Sequence, residues 1–129
     1  MADSPRKQIV GVSRPGSSEA VRVGPVVMLS GQVAIDAGGA LVGAGDVRAQ
    51  AEQCIRNIER ILHETGSTLD DVVELTCFLA DPVHLASYLE VRAAHFPTAA
   101  PATTTVVAQL ALPELLIELK AVAVAAGDS

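Results

Sequence analysis

A chain of 129 residues has room for a single domain with a core of its own. Half of it is hydrophobic, yet no run approaches the roughly 18 uninterrupted apolar residues of a membrane span, so a soluble protein with no membrane partner is expected. A formal net charge of −6 repels a phosphate backbone, and one Tyr, two Phe and no Trp offer no platform for stacked bases, which argues against a nucleic-acid partner.

The N-terminal string MADSPRKQ is polar and lacks the apolar segment and small-residue cleavage site of a secretory signal, so a cytoplasmic location is expected. Residues 1–7 are read as a flexible tail and residues 8–126 as the one domain. Val and Ile within 8–14 predict a short strand, which Pro15, Gly16, Ser17 and Ser18 end. Strands over 20–23 and 26–30 flank Gly24-Pro25, turn chemistry that makes them a hairpin, and Asp36 to Gly39 form a further turn. Over 46–65, Val47, Ala51, Cys54, Ile58, Ile61 and Leu62 recur at the spacing of one helical face. Asp46 suits its N-cap and Gly66 its end, while Arg48/Glu52, Glu52/Arg56 and Arg60/Glu64 are i,i+4 pairs on a solvated face.

A strand over 72–80 puts Val73, Leu75, Cys77 and Leu79 on one side and Glu74, Thr76 and Phe78 on the other. Asp81-Pro82 opens a second helix whose buried stripe is expected to be Leu85, Ala86, Leu89, Ala93 and Phe96. A loop over 97–101 leads to a strand over 103–110, and a turn at Leu112-Pro113-Glu114 returns the chain as a last, most apolar strand over 115–125. Cys54 and Cys77 lack metal-ligand spacing and are read as reduced core thiols. Two helices of this length cover one face of a five- or six-stranded sheet, whereas the last two strands are apolar on both faces. Something must cover the second face, and self-association into a closed ring is the common solution.

Four strings, in order and at matching spacing, carry a resemblance: Leu29-Ser30-Gly31-Gln32-Val33, Thr76-Cys77-Phe78-Leu79-Ala80-Asp81, Pro101-Ala102-Thr103-Thr104-Thr105-Val106, and Ile117-Glu118-Leu119-Lys120-Ala121-Val122-Ala123-Val124. Over roughly residues 8–125 the chain resembles the reactive-intermediate deaminase family, also called RidA or YjgF. The resemblance implies a chorismate-mutase-like α+β subunit with a mixed sheet, a homotrimer whose sheets face a central barrel, and three small-molecule pockets at the subunit seams. In the family an arginine after the Pro-Ala string grips the substrate carboxylate, a task for a planar two-pronged donor. The second glutamate of an Ile-Glu-Ile-Glu-Ala strand helps to position the water that hydrolyses a 2-imino acid. Those positions fall here on Thr103 and Lys120, and a tyrosine that many relatives place before the second strand falls on Ser17. The resemblance therefore implies the framework without the usual 2-iminobutanoate or 2-iminopropanoate deamination.

Lys120 is the one lysine outside the N-terminal tail, and it sits in the most apolar strand. A buried lysine without a partner is costly, so it is either paired or holds a lowered pKa and a task. The period of two puts Glu118, Lys120, Val122 and Val124 on a seam-facing side, with Ile117, Leu119, Ala121 and Ala123 against the helices. Two readings follow. In one, Lys120 closes an ion pair with Glu118 or a neighbouring subunit. In the other it is a pocket cation for a carboxylate-bearing or carbonyl ligand, with amine nucleophilicity as the extreme form. Lys120 is thus the candidate catalytic residue, and Ser17, Ser30, Thr103, Thr105 and Glu118 are the candidate ligand-binding residues. Thr105 shares a face with Thr103 and is expected to line the same pocket, while His95 is read first as a surface or capping group.

No Gly-rich phosphate loop or Ser-His-Asp arrangement is present, and no metal or cofactor is expected. The chain reads as a divergent hydrolase or deaminase acting on an imine, enamine or carbonyl metabolite. Its rival is a non-catalytic trimeric ligand-binding or chaperone-like protein. The ribonuclease activity sometimes attached to the family is disfavoured by the acidic balance.

Overall fold

The structure is a computed structural model that describes residues 6–125. Residues 1–5 of the expected tail and residue 126 at the expected domain end lie outside the described residues, and Lys7 already belongs to the first strand. The Val- and Ile-bearing segments form β1 (Lys7–Arg14), β2 (Ser17–Val23) and β3 (Val26–Leu29), joined by tight turns at Pro15-Gly16 and Gly24-Pro25. The apolar stripe then forms α1 (Val47–His63), where the Asp46 carboxylate accepts from the Ala49 N–H at 3.2 Å and caps the helix. A 3-10 turn, Leu69–Asp71, closed by reciprocal bonds between Thr68 and Asp71, leads into β4 (Val72–Leu79). Asp81 caps a second such turn, Pro82–His84, which runs into α2 (Leu85–His95). β5 (Ala102–Val107) and β6 (Ile117–Val124) complete the fold.

The six strands make one mixed sheet in the order β1-β2-β3-β6-β4-β5, with β4 and β5 parallel and every other neighbour antiparallel. The helices cover the face built by Val27, Leu75, Leu79, Ile117, Leu119 and Ala121, all fully buried. Buried Gln50 ties α1 to the entry of β6: its amide donates to the carbonyls of Gly43 (3.1 Å) and Glu114 (3.0 Å), and its oxygen accepts from the Leu116 N–H (2.8 Å). The Glu114 carbonyl and the Leu116 N–H, which would each cost about 1–3 kcal/mol if left unpaired, are thus satisfied by one side chain, while the Gly43 carbonyl also accepts from the Asp46 N–H. No helix among the described residues is long and apolar enough to cross a membrane.

Three sequence expectations are corrected. The stripe on α2 is rotated: Phe96 is buried as expected, but Leu85 and Leu89 stand 40% and 37% exposed, and Ala86 and Ala93 are exposed as well, whereas Tyr88 and Val91 are buried. Tyr88 offers the larger apolar area, and contacts to α1, His95 Nε2 to Glu52 Oε2 at 2.6 Å and Arg48 to Glu90, hold that rotation. In β4 the pairing with β6 slips between Val72 and Glu74, so Val72 takes the core place expected of Val73, which is 47% exposed. The charges of α1 pair across elements rather than along the helix, since Glu52 meets His95 and Arg60 meets Glu19 at 2.8 Å.

Cys54 and Cys77 are free and buried, as expected. Burial pushes both thiols up from 9.0 to about 12. Unfolded thiols therefore ionise at a pH where folded ones hold their protons. Their contribution is intact below pH 9.0 and is lost as pH rises toward about 12, at up to about 1.4 kcal/mol per pH unit for each thiol. Urea unfolding measured across the alkaline range should show this decline. Between pH 9.0 and 10.0, before the buried Tyr88 hydroxyl, itself pushed up from 10.0 by burial, adds to the decline, Cys54→Ala should reduce its slope by about half, whatever that variant does to stability at neutral pH; an unchanged slope would refute burial as the cause.

Candidate functional site

The other face of the sheet carries no helix. Along β6, Ile117, Leu119, Ala121 and Ala123 are buried, while Lys120 and Val124 are exposed and Glu118 and Val122 half-buried. Lys120 lies opposite Thr76 on β4, and Thr76 lies opposite Thr104 on β5, so these three share the open face. Beyond Leu29, the chain stays beside β6 through reciprocal Gln32–Leu119 backbone bonds of 2.7 and 2.9 Å. Ser30 is anchored on its other side, its N–H donating to the Glu19 carbonyl (2.8 Å) and its hydroxyl to the Ser18 carbonyl (2.6 Å). Its hydroxyl oxygen retains acceptor capacity.

Gly31 is the point around which the polar groups gather. A Cβ there would lie 2.1 Å from Glu118 Oε2 and 2.9 Å from its carboxyl carbon, so the Glu118 side chain rests where any other residue would put its own. Lys120 lines a hollow of about 550 Å³ with Ser18, Val21, Met28, Ser30 and Gly31. A neighbouring hollow of about 400 Å³ is lined by Arg14, Ser17, Ser18, Ser30, Gly31 and Gln32, among others. Ser17, Ser30, Glu118 and Lys120 are thereby brought to one region of the fold.

Of the two readings of Lys120, an ion pair within one subunit is not found: among the described residues no salt bridge joins Glu118 to Lys120. Lys120 is exposed in the subunit, so the burial that would have demanded a partner is not imposed by one chain alone. Within one subunit Thr103 and Thr105 share a face, as expected, but it is not the face of Lys120. Thr103 lies opposite Leu75 and Thr105 opposite Cys77, which puts both on the helix side of the edge strand β5. Thr104 has the face expected of them. His95 stands apart, bonded to Glu52. Among the described residues no group of three or more His, Cys, Asp or Glu is placed to hold a metal ion.

Sequence reasoning missed Arg14 and the packing of Glu118 on Gly31. Period-two counting through β1 hides Arg14, because the β1–β2 pairing shifts between Val10 and Ser13. Gly11, at φ +75°, forms the shift, and Glu19 Oε1 accepts the Val12 N–H there at 3.0 Å. Arg14 then pairs with Ser17.

The profile of the family described as Endoribonuclease L-PSP matches residues 12–125. A RutC family protein of Pyrococcus abyssi is 35% identical over 106 residues, which cover 82% of this chain and 84% of that one. Protein HMF1 of Saccharomyces cerevisiae is 39% identical over 109 residues, covering 84% and 82%. Among solved structures, a member of the YjgF/YER057c/UK114 family from Mycobacterium tuberculosis has a TM-score of 0.80 at 30% identity, covering 92% of this chain and 99% of that one. Yeast Mmf1 has a TM-score of 0.86 at 29% identity, covering 92% and 98%.

The Gly31–Glu118 packing has a measurable consequence. Gly31→Ala must displace the flexible end of the Glu118 side chain at an exposed position, so it should cost only about 0.5 kcal/mol in denaturant unfolding. Adding Glu118→Ala should remove most of that loss, a coupling of about 0.5 kcal/mol. Additive effects of the two substitutions would show that the side chain does not occupy that space.

Proposed function

From the premise that this chain belongs to the RidA/YjgF family, whose profile is the Endoribonuclease L-PSP one, we propose that it binds a small carboxylate-bearing or carbonyl metabolite at subunit seams and hydrolyses or rearranges an imine, enamine or related compound. The observation that carries this reading is the hollow at Lys120, where an ammonium unpaired with Glu118 stands beside Ser30 and Gly31. Lys120 supplies the cation for a carboxylate or a polarised carbonyl oxygen, and Glu118 is the neighbouring carboxylate that can take a proton from an attacking water. Thr103 and Thr105 face away from Lys120 within one sheet, so they join the site only if a second subunit brings its β5 to the open face. A homotrimer, with its apolar open faces covered, is part of the proposal, as are a cytoplasmic setting and the absence of a resident cofactor.

The rival is a non-catalytic trimeric binder or chaperone-like protein, favoured by Thr103 and Lys120 standing where the family resemblance expects an arginine and a glutamate. A ribonuclease role is disfavoured by the net charge of −6.

Light scattering should give about three times the 13.3 kDa subunit mass, and small carboxylates should raise the melting temperature of the wild-type trimer. Lys120→Met should abolish that response and leave the trimer intact. A loss of roughly 3–5 kcal/mol of stability instead would mark Lys120 as one half of an intersubunit ion pair, and an unchanged response would remove it from the site. In an assay coupled to a threonine dehydratase, hydrolysis of 2-iminobutanoate should be feeble beside that of an arginine-bearing relative. A comparable rate would overturn the assignment of positions 103 and 120.

A further inference from the structure

We propose that Arg14 is a second anion-binding group of the same site, and that the ligand it selects is a small dicarboxylate, one acid held by Lys120 and the other by Arg14. The proposal rests on the reading of Lys120 as a pocket cation. The hollow lined by Lys120 and the hollow lined by Arg14 adjoin, sharing Ser18, Ser30 and Gly31. A third, overlapping hollow brings Arg14 near a second guanidinium, that of Arg60, but the two differ in their commitments. Arg60 is engaged by both oxygens of Glu19, at 3.3 and 2.8 Å. The Arg14 guanidinium makes no hydrogen bond or salt bridge among the described residues, and its charge reaches Glu19 only at longer range.

Charge and spacing point the same way. With Glu19 and Arg60 offsetting each other, Arg14 and Lys120 are the remaining charges that line the two joined hollows; the Glu118 carboxylate packs beside Gly31, and Asp36, which lines the third hollow, accepts from the Gly38 and Ala40 N–H groups. Arg14 is on β1 and Lys120 on β6, with β2 and β3 between them. Three strand spacings, with the two-residue offset along β2 between Glu19, in the row of Ser30, and Ser17, opposite Arg14, put their backbones about 16 Å apart. Two long side chains reaching inward leave a gap suited to a few carbons between two acids. The resemblance assigns carboxylate gripping to position 103, where Thr103 has no charge to offer; Arg14 restores a planar two-pronged donor from a different strand.

Titration calorimetry with propionate, succinate and glutarate tests this on the full chain, using wild type, Arg14→Gln, Arg14→Lys and Lys120→Met. Wild type should bind the better dicarboxylate at least about tenfold more tightly than propionate, since the second contact is intramolecular once the first is made. Arg14→Gln should erase that preference, bringing the dicarboxylates down to the affinity of propionate, and Arg14→Lys should retain part of it. Equal affinity of wild type for all three acids, a preference that survives Arg14→Gln, or no binding of any acid would each overturn the proposal. Lys120→Met separates it from the reading beneath it. If that substitution leaves propionate binding intact while Arg14→Gln still removes the dicarboxylate preference, Lys120 falls and Arg14 stands as an anion-binding residue.

Discussion

Two helices cover one face of a six-stranded sheet, and the period of two along β6 then decides the position of every residue from Ile117 to Val124. Residues of one parity enter the core with Leu75 and Leu79; those of the other face outward with Thr76 and Thr104. Gln50 holds this arrangement at the entry of β6, where it bonds three backbone groups that have no strand partner. The parity of Glu118 and Lys120, and with it the candidate site, follows from that register. A slip of one residue would send both charges into the core, at a desolvation cost a domain of this size does not sustain.

The ionic groups divide into two sets with different work. Glu52–His95, Arg48–Glu90 and Glu19–Arg60 join elements distant in the chain. Exposed pairs of this kind contribute about 0–1 kcal/mol each, so their importance lies more in orientation than in energy. The first two set the rotation of α2 on α1. The third fastens the β1 irregularity to α1, and the hydrogen bonds that Arg60 donates hold the Glu19 carboxyl below its usual range. Arg14, Glu118 and Lys120 form the other set. They gather about Ser30 and Gly31 without salt bridges among the described residues, and the proposed site rests on that arrangement.

The opposite facing of Thr103 and Lys120 bears on how the site is completed. β4 and β5 are parallel and in register, so Thr103 follows Leu75 to the helix side while Thr104 follows Thr76 toward Lys120. No rotamer change brings Thr103 across its own sheet. A site that uses both positions is therefore an intersubunit one, in keeping with the exposed apolar residues Met28, Val106 and Val124 on the open face.

Local pattern was sufficient wherever one face of an element is decided by a simple period. The α1 stripe with its Asp46 cap, the Gly24-Pro25 hairpin, the alternation of β6 and the buried thiols were all legible in the amino-acid order. The family followed from four short strings. Tertiary structure decided what periodicity leaves degenerate. α2 carries two apolar stripes, and only packing against α1 selects Tyr88 and Val91 over Leu85 and Leu89. The irregularities in β1 and β4 break the count of two, moving Arg14 opposite Ser17 and exchanging Val73 for Val72 in the core. The contact of Glu118 with Gly31 and the separation of Thr103 from Lys120 depend on which strands lie side by side. That order is set by long-range pairing in the sheet, and a period within one strand does not encode it.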